Sequence, residues 1–232
     1  MVDHQLMASF SAELVERVPL SPRVVGLTFV ASEAFSRAAG QYVLLTLDEG
    51  TTHAFSVASP YEPAAPGRFE IAVARGTTAE GLLAVPLGGV VSATGPSGSL
   101  VWKGDGPALL VGTGTGISPL RALVKEQLST AATDPLVLLF GCRDQSEELW
   151  GAELRELSQQ RQRFRFLSSY SQPAPGSLDR VGRVQAYLPA LVSELGAGLR
   201  AYLCGHTPMV NDCTALLLEA GVSPERIHGE SY

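Results

Sequence analysis

One stretch constrains the fold of this chain more than any other: Pro107-Ala-Leu-Leu-Val-Gly-Thr-Gly-Thr-Gly-Ile-Ser-Pro-Leu-Arg-Ala-Leu-Val124. Ala108 to Val111 has the length and character of a parallel strand covered on both faces, and Gly112, Gly114 and Gly116 follow at once. Glycines there let the backbone turn sharply and come close to another group. The free N–H groups at the start of the next helix favour an anion, and a pyrophosphate is the natural guest. Pro119 fits the first turn of that helix, where a missing N–H costs little. The spacing matches neither the Gly-x-Gly-x-x-Gly fingerprint nor a phosphate loop ending in Gly-Lys-Ser/Thr, so the loop alone does not name its ligand.

On either side of this stretch the pattern differs. Upstream, short alternating segments are separated by Pro and Gly. They are Ser11 to Val18, Val24 to Val30, Gln41 to Leu47, Ala54 to Ala58, Arg68 to Ala74 and Val90 to Thr94, with one helix at Thr78 to Val85. That spacing suggests a small antiparallel barrel. Downstream, strands at Ala108 to Val111, Leu136 to Phe140, Phe164 to Ser168, Arg200 to Cys204 and Arg226 to His228 alternate with helices. The helices are expected at Pro119 to Leu128, Ser146 to Gln160, Val184 to Leu195 and Pro208 to Ala220, the last stopped by Gly221. The polar link Lys103 to Pro107 sets the expected division, residues 1–103 and 104–232.

Composition closes off several alternatives. With 232 residues, 45% of them hydrophobic, the chain has ample material for a core. A net charge of −6 offers no basic field for nucleic acid. No run of about 18 apolar residues occurs, and the start, Met1 to Phe10, lacks a basic segment followed by an apolar one. A cytoplasmic protein with no membrane partner is expected. Cys142, Cys204 and Cys213 are odd in number and widely spaced, so no metal site is expected and any iron–sulfur centre belongs to another chain.

Four segments in order bring in a family. His53-Ala-Phe-Ser-Val-Ala-Ser59 resembles the Arg-x-Tyr-Ser flavin motif of the ferredoxin-NADP reductase family. Gly112-Thr-Gly-Thr-Gly-Ile-Ser-Pro119 resembles its nicotinamide-pyrophosphate loop, and Leu203-Cys-Gly-His-Thr-Pro-Met-Val210 its Cys-Gly-x-x-x-Met segment. Ile227 to Tyr232 is similar to its terminal strand with an acid and an aromatic. The resemblance covers the whole chain. It implies a β-barrel that binds FAD, an α/β Rossmann-like domain that binds NAD(P)H, and hydride transfer between the two cofactors in the cleft that separates them.

Site residues follow from the same resemblance. Phe55 stands where a Tyr packs on the flavin ring; the plain alternative is a core Phe. Ser56 stands where a hydroxyl meets flavin N5. His53 replaces an Arg that grips the FAD pyrophosphate, which weakens that grip. Ala54 and Val73 flank the same site. Compensation is expected from Arg75-Gly76-Thr77-Thr78, although two threonines there also read as an ordinary helix cap. In the second half, Gly112, Thr113, Gly114, Thr115, Gly116 and Pro119 would hold the dinucleotide, together with Gly205 and Met209. Cys204 would shape the nicotinamide pocket, Glu230 would orient the rings, and Tyr232 would stack on the flavin until nicotinamide displaces it. Arg143 with Ser168, Ser169 and Tyr170 are the candidates for a 2′-phosphate; the lack of a cation at Ser168-Ser169 tips the expectation toward NADH over NADPH.

Three functions remain open at this stage. The first is a flavin-dependent NAD(P)H reductase that passes electrons to a separate ferredoxin or oxygenase component. The others are a reductase that releases reduced flavin and a non-catalytic electron-transfer or regulatory subunit. Arg161-Gln-Arg-Phe-Arg165 and Lys103 offer basic ground for an acidic partner, or simply a solvated surface.

Overall fold

A computed structural model describes residues 7–47, 50–174 and 180–232. Most of the start read above, Met1 to Phe10, lies outside the described residues.

The upstream half is an antiparallel sheet of β1 (Ala8–Pro19), β2 (Val24–Ala31), β3 (Tyr42–Thr46), β4 (Thr52–Ser56), β5 (Arg68–Ala74) and β6 (Val90–Ser97), in the order β4-β3-β6-β1-β2-β5. It curls until its edges meet, where the Ala58 N–H donates to the Glu70 carbonyl at 2.7 Å. Inward-facing apolar residues fill the barrel, among them Leu14, Leu27, Phe29, Val43, Leu45, Phe69 and Ile71. The alternation in β5 accounts for this: Phe69 and Ile71 point in, and Glu70 points away. The expected helix at Thr78 is a 3₁₀ helix, Thr78–Ala84.

The downstream half is a parallel sheet in the order β10-β9-β8-β7-β11-β12. Its strands are β7 (Ala108–Thr113), β8 (Leu136–Cys142), β9 (Phe164–Tyr170), the short β10 (Arg180–Val181), β11 (Arg200–Gly205) and β12 (Ile227–Ser231). Helices α1 (Ile117–Leu128), α2 (Gly151–Gln160), α3 (Leu188–Leu195) and α4 (Thr207–Glu219) cover its two faces. Strand β7 is almost fully buried, as its unbroken apolar run requires. Helix α4 ends at a left-handed Gly221 (φ +86°), and the Val222 N–H closes back on the Leu217 carbonyl at 3.0 Å.

Two expectations are corrected here. The helix read over Ser146 to Gln160 is broken: a 3₁₀ turn at Gln145–Glu147 and a left-handed Trp150 (φ +51°) precede α2. The third downstream helix likewise begins as a 3₁₀ turn, Val184–Tyr187. Among the described residues, no helix is long and apolar enough to cross a membrane.

Candidate active site

A cleft of about 1140 Å³ opens between the barrel and the C-terminal ends of β7, β8 and β11. Open α/β sheets bind ligands at this edge, because the strand ends and helix starts converge there. The barrel contributes Ala54, Phe55, Ser56, Arg75 and Thr77. The parallel sheet contributes Thr113, Gly114, Thr115, Arg143, Cys204 and Met209, and the end of the chain adds Glu230 and Tyr232.

The glycine loop is built by close approach. A Cβ on Gly116 would lie 2.3 Å from the Cys204 carbonyl oxygen and 2.7 Å from the Gly205 nitrogen. One on Gly205, itself at φ +154°, would lie 2.3 Å from Thr113 Oγ1. Gly112 packs against Leu120, and Pro119 is buried in the first turns of α1. These four residues therefore shape the loop without lining the cleft. The hydroxyls of Thr113 and Ser118 do line it, and both are buried with no partner within the protein. Buried hydroxyls without partners are costly, so they mark a place suited to the amide and phosphate oxygens of a dinucleotide. The residues present fit that group.

Tyr232, expected to stand over the flavin, lines the cleft and is anchored by its hydroxyl. Its hydroxyl donates to the Thr113 carbonyl at 3.0 Å and accepts from the Gly116 N–H at 3.1 Å, with Thr115 Oγ1 at 3.3 Å. Its own N–H reaches the Gly205 carbonyl at 3.2 Å. The residue is 54% exposed overall, but the phenol end is sunk into the loop, and burial raises its pKa. The structure thus places Tyr232 against the dinucleotide loop.

On the barrel side, Phe55 is only 7% exposed and belongs to the barrel core. It still touches the cleft, but most of its surface is spent on the core. The half-buried aromatic beside Ser56 in register is Tyr42, whose hydroxyl takes a hydrogen bond from Ser97 at 3.1 Å and whose ring lies against Gly98. His53 is also turned from the cleft, edge-on to Phe55 at 6.4 Å, with Nε2 buried and unpartnered. Val73 is committed to the barrel core at 1% exposure. The Gly76 N–H, expected to be free for phosphate, accepts no ligand role as it stands: it donates to the Glu80 carboxylate at 2.8 Å, while Thr77 Oγ1 donates to the Ala74 carbonyl. Thr78 is exposed at the start of the 3₁₀ helix.

The expected 2′-phosphate cluster is divided. Ser168 does not line the cleft, because its hydroxyl donates to the buried Glu148 carboxylate, as does Tyr170 at 3.0 Å; Ser169 is wholly buried. Arg143 remains, joined by Arg183, which sequence reasoning missed along with Arg23, Tyr42 and Ser118. Arg183, Arg23 and Tyr42 come from turns and a strand end that carry no motif, whereas Ser118 lies inside the glycine-loop motif, at the start of α1. The basic run Arg161 to Arg165 and Lys103 sits at the N-terminal ends of β9 and β7, the opposite edge of the parallel sheet, and so is remote from the cleft.

Burial dominates the electrostatics at the strand ends under the cleft. Burial pushes the Cys204 thiol up to about 12, with the Glu230 carboxylate adding to it, so the sulfur stays protonated. Burial also raises Glu230 above the usual 4.5, against the lowering effect of the Ser99 and Leu100 N–H groups. Between its ordinary and raised values the folded protein holds a proton that the unfolded chain has lost. Each rise in pH through that window therefore favours unfolding. Thermal melts of the parent and Glu230→Gln should diverge as pH climbs from about 4.5, with the parent falling relative to the variant; parallel curves would show that Glu230 titrates normally.

Comparison with known proteins agrees with this geometry. Residues 110–215 match the model of the oxidoreductase NAD-binding domain. Ferredoxin–NADP reductase B of Sorangium cellulosum is 35% identical over 96% of this chain and 97% of its own length. The naphthalene 1,2-dioxygenase system ferredoxin–NAD(P)(+) reductase component of Pseudomonas putida is 33% identical over 61% of this chain, a match that spans 44% of that relative. Among solved structures, an Amycolatopsis cytochrome P450 reductase superposes with a TM-score of 0.87 at 26% identity, over 97% of this chain and 70% of that one. A Neisseria gonorrhoeae ferredoxin NADP+ reductase with bound FAD and NADP shares the fold, with a TM-score of 0.80 at 20% identity, over 97% of this chain and 98% of that one. The barrel, the parallel sheet with its glycine loop, and the full-length relative together show that this chain belongs to the ferredoxin-NADP reductase family of FAD- and NAD(P)-binding oxidoreductases.

Proposed function

We propose that this reductase takes a hydride from NADPH or NADH onto FAD in the cleft and hands the electrons to a separate redox protein, a ferredoxin or an oxygenase component. One observation carries the reading: Ser56 on the barrel and Thr113, Gly114 and Thr115 of the glycine loop with Cys204 on the parallel sheet face a single cleft. Bound flavin supplies a two-electron acceptor that can release electrons one at a time. The chain's part is to bind, orient and exclude water. Ser56 offers a hydroxyl that both donates and accepts. Arg75, with Arg23 beside it, supplies positive charge for the flavin phosphates, and Tyr42 gives an aromatic wall. Thr113 and Ser118 supply the open hydroxyls for nicotinamide. Residues 1–103 and 104–232 are the corresponding flavin and nicotinamide units, and a cytoplasmic setting is part of the same proposal.

The cysteines of this sequence support a separate carrier. Three widely spaced thiols fall short of the four thiolates that hold an iron–sulfur cluster. The names of the full-length and dioxygenase-system relatives support the same choice of acceptor.

For the donor, the basis of the NADH expectation has shifted. Ser168 is engaged by Glu148, but two arginines, Arg143 and Arg183, line the cleft beyond β8 and β10. Guanidinium groups pair well with a 2′-phosphate, so NADPH is the preferred donor in this proposal. The double variant Arg143→Ala/Arg183→Ala should lower kcat/KM for NADPH by about 10- to 100-fold, the loss of one or two charge-assisted bonds, with little change for NADH. Equal losses for both donors would reject this assignment.

A second reading rests on a specific observation. With Gly76 tied to Glu80 and His53 turned away, the flavin phosphates have fewer partners than the family motif provides. That favours loosely held flavin, released after reduction. Steady-state assays with ferredoxin and with free flavin separate the two. Carrier reduction that needs no added flavin supports the first reading; turnover only with excess free flavin supports the second.

A further inference from the structure

We propose that Arg121 is a positioning residue that locks the barrel to the dinucleotide helix and thereby sets the approach of the two cofactor rings. The proposal rests on the cleft reading above. Arg121 lies on α1, which begins directly after the glycine loop, and is 4% exposed. Its Nε and Nη2 donate to Glu153 Oε2 on α2 at 2.9 and 2.8 Å. Its Nη1 crosses to the barrel and donates to Glu70 Oε2 on β5 at 2.7 Å and to the Ala58 carbonyl at 2.8 Å. Ala58 is two residues beyond Ser56, and its N–H is the seam bond to Glu70. One guanidinium therefore holds the strand that presents Ser56 and the helix that presents the glycine loop.

The surroundings are arranged to keep it there. The guanidinium carbon lies 4.8 Å over the ring of Trp150, the residue whose left-handed backbone interrupts the expected helix. A bulky residue adopts that conformation only where its neighbours impose it. Lys125 adds a second cation to Glu153 at 3.1 Å. A buried ion pair adds little net stability over well-packed apolar groups, so simple adhesion between the halves does not need this arrangement. Directional N–H bonds do something apolar packing does not: they fix an angle. Among the described residues, other polar ties between the halves each supply one contact and none joins three elements: the Lys103 N–H at the link donates to the Tyr202 hydroxyl at 2.9 Å, the Ala39 N–H to Glu126 at 3.4 Å and the Ser99 N–H to Glu230 at 3.3 Å, and Arg23, 60% exposed, pairs with Glu147 at 3.1 Å.

The test compares the parent with Arg121→Met, Arg121→Lys, and the charge-neutral Arg121→Met/Glu70→Gln/Glu153→Gln, which keeps the fold accessible if the single variant does not fold. Spin labels at the exposed positions Glu33→Cys and Glu219→Cys, in a Cys142→Ser background, report the distance between the halves. The expected result is a narrow distribution in the parent, a broadened one in both Met variants, and partial recovery in Arg121→Lys. In anaerobic stopped flow without labels, the limiting rate of flavin reduction should fall about 10- to 100-fold, as a misplacement near 1 Å implies. FAD and NADPH dissociation constants should stay within about twofold, since Arg121 touches neither. An unchanged distance distribution with an unchanged limiting rate overturns the proposal, as does a rate loss explained entirely by weaker FAD binding. If the parent itself shows no reduction by NAD(P)H, the functional reading fails while the distance measurement still decides the lock.

Discussion

Gly116→Ala should abolish productive NAD(P)H binding while leaving the barrel folded. The backbone of Gly116 is at ordinary helical angles, so the expected damage is purely steric. The new Cβ meets three backbone atoms, the Cys204 carbonyl oxygen and carbon and the Gly205 nitrogen, at 2.3, 2.5 and 2.7 Å. Backbone in the middle of a parallel sheet has no rotamer to escape into. The loop must lift from β11, which separates Thr113 and Tyr232 from the strand end that carries Cys204. Overpacking of this kind costs roughly 1–3 kcal/mol, and the shift in the loop should lower kcat/KM at least 100-fold. Gly198→Ala, where nothing lies within 4 Å and φ is not positive, is the control and should change stability by less than about 0.5 kcal/mol. Normal coenzyme binding by Gly116→Ala, measured by equilibrium dialysis, would show that the loop tolerates displacement and that its closeness to β11 is incidental.

Phe69→Ala should be the most damaging change to the barrel. The ring is fully buried, stacks on Phe29 at 5.5 Å and meets Phe35 edge-on at 5.2 Å. Its removal leaves a cavity beneath a strand paired on one side with β2 and closed on the other by the Ala58 seam, so the site collapses poorly. Loss of a buried Phe costs about 3–5 kcal/mol. For a chain of this size that corresponds to a melting temperature lowered by roughly 6–20 °C. Because Glu70, Ala72 and Ala74 on the same strand face the cleft or the Arg121 contact, FAD retention should fall with it. A melting temperature within about 2 °C of the parent would mean that the aromatic cluster is not the barrel's core; calorimetry or circular dichroism decides.

Much of the architecture was legible because periodicity and burial agree. The alternation from Phe69 to Ala74 marks a half-buried strand, and the unbroken apolar run of β7 marks one covered on both faces. Strand β4 lies two residues earlier than its pattern suggests. Phe55 and Val57 continue the alternation, but at Val57 the chain leaves the ladder, and Ala58 crosses to pair with Glu70. The break before α2 had a signal that was not read as one, Gly151, whose missing Cβ makes room for the Glu148 carboxylate. Trp150 at positive φ gave no such sign; its ring lies under the Arg121 guanidinium, a tertiary contact that a local pattern does not contain.

The site was less legible than the fold. The glycine loop announces itself through backbone demands that only glycine meets. Side-chain direction at strand ends does not: His53 and Val73 face the barrel interior by parity and by the bend after Ser56. Tyr42 and Arg23 reach the cleft only because β3 pairs with β4 and because the β1–β2 turn leans over it. Such contributions depend on long-range register, which a local pattern does not contain.

The most direct test of the account is the absorbance spectrum of the purified protein with one equivalent of FAD, recorded without oxygen before and after addition of NADPH and, separately, NADH. The account predicts a protein-bound flavin band that bleaches within the mixing time of a turnover assay, faster with NADPH. A flavin band that neither coenzyme bleaches, in a protein whose melting behaviour shows both halves folded, would contradict the claim that the two cofactors meet in this cleft.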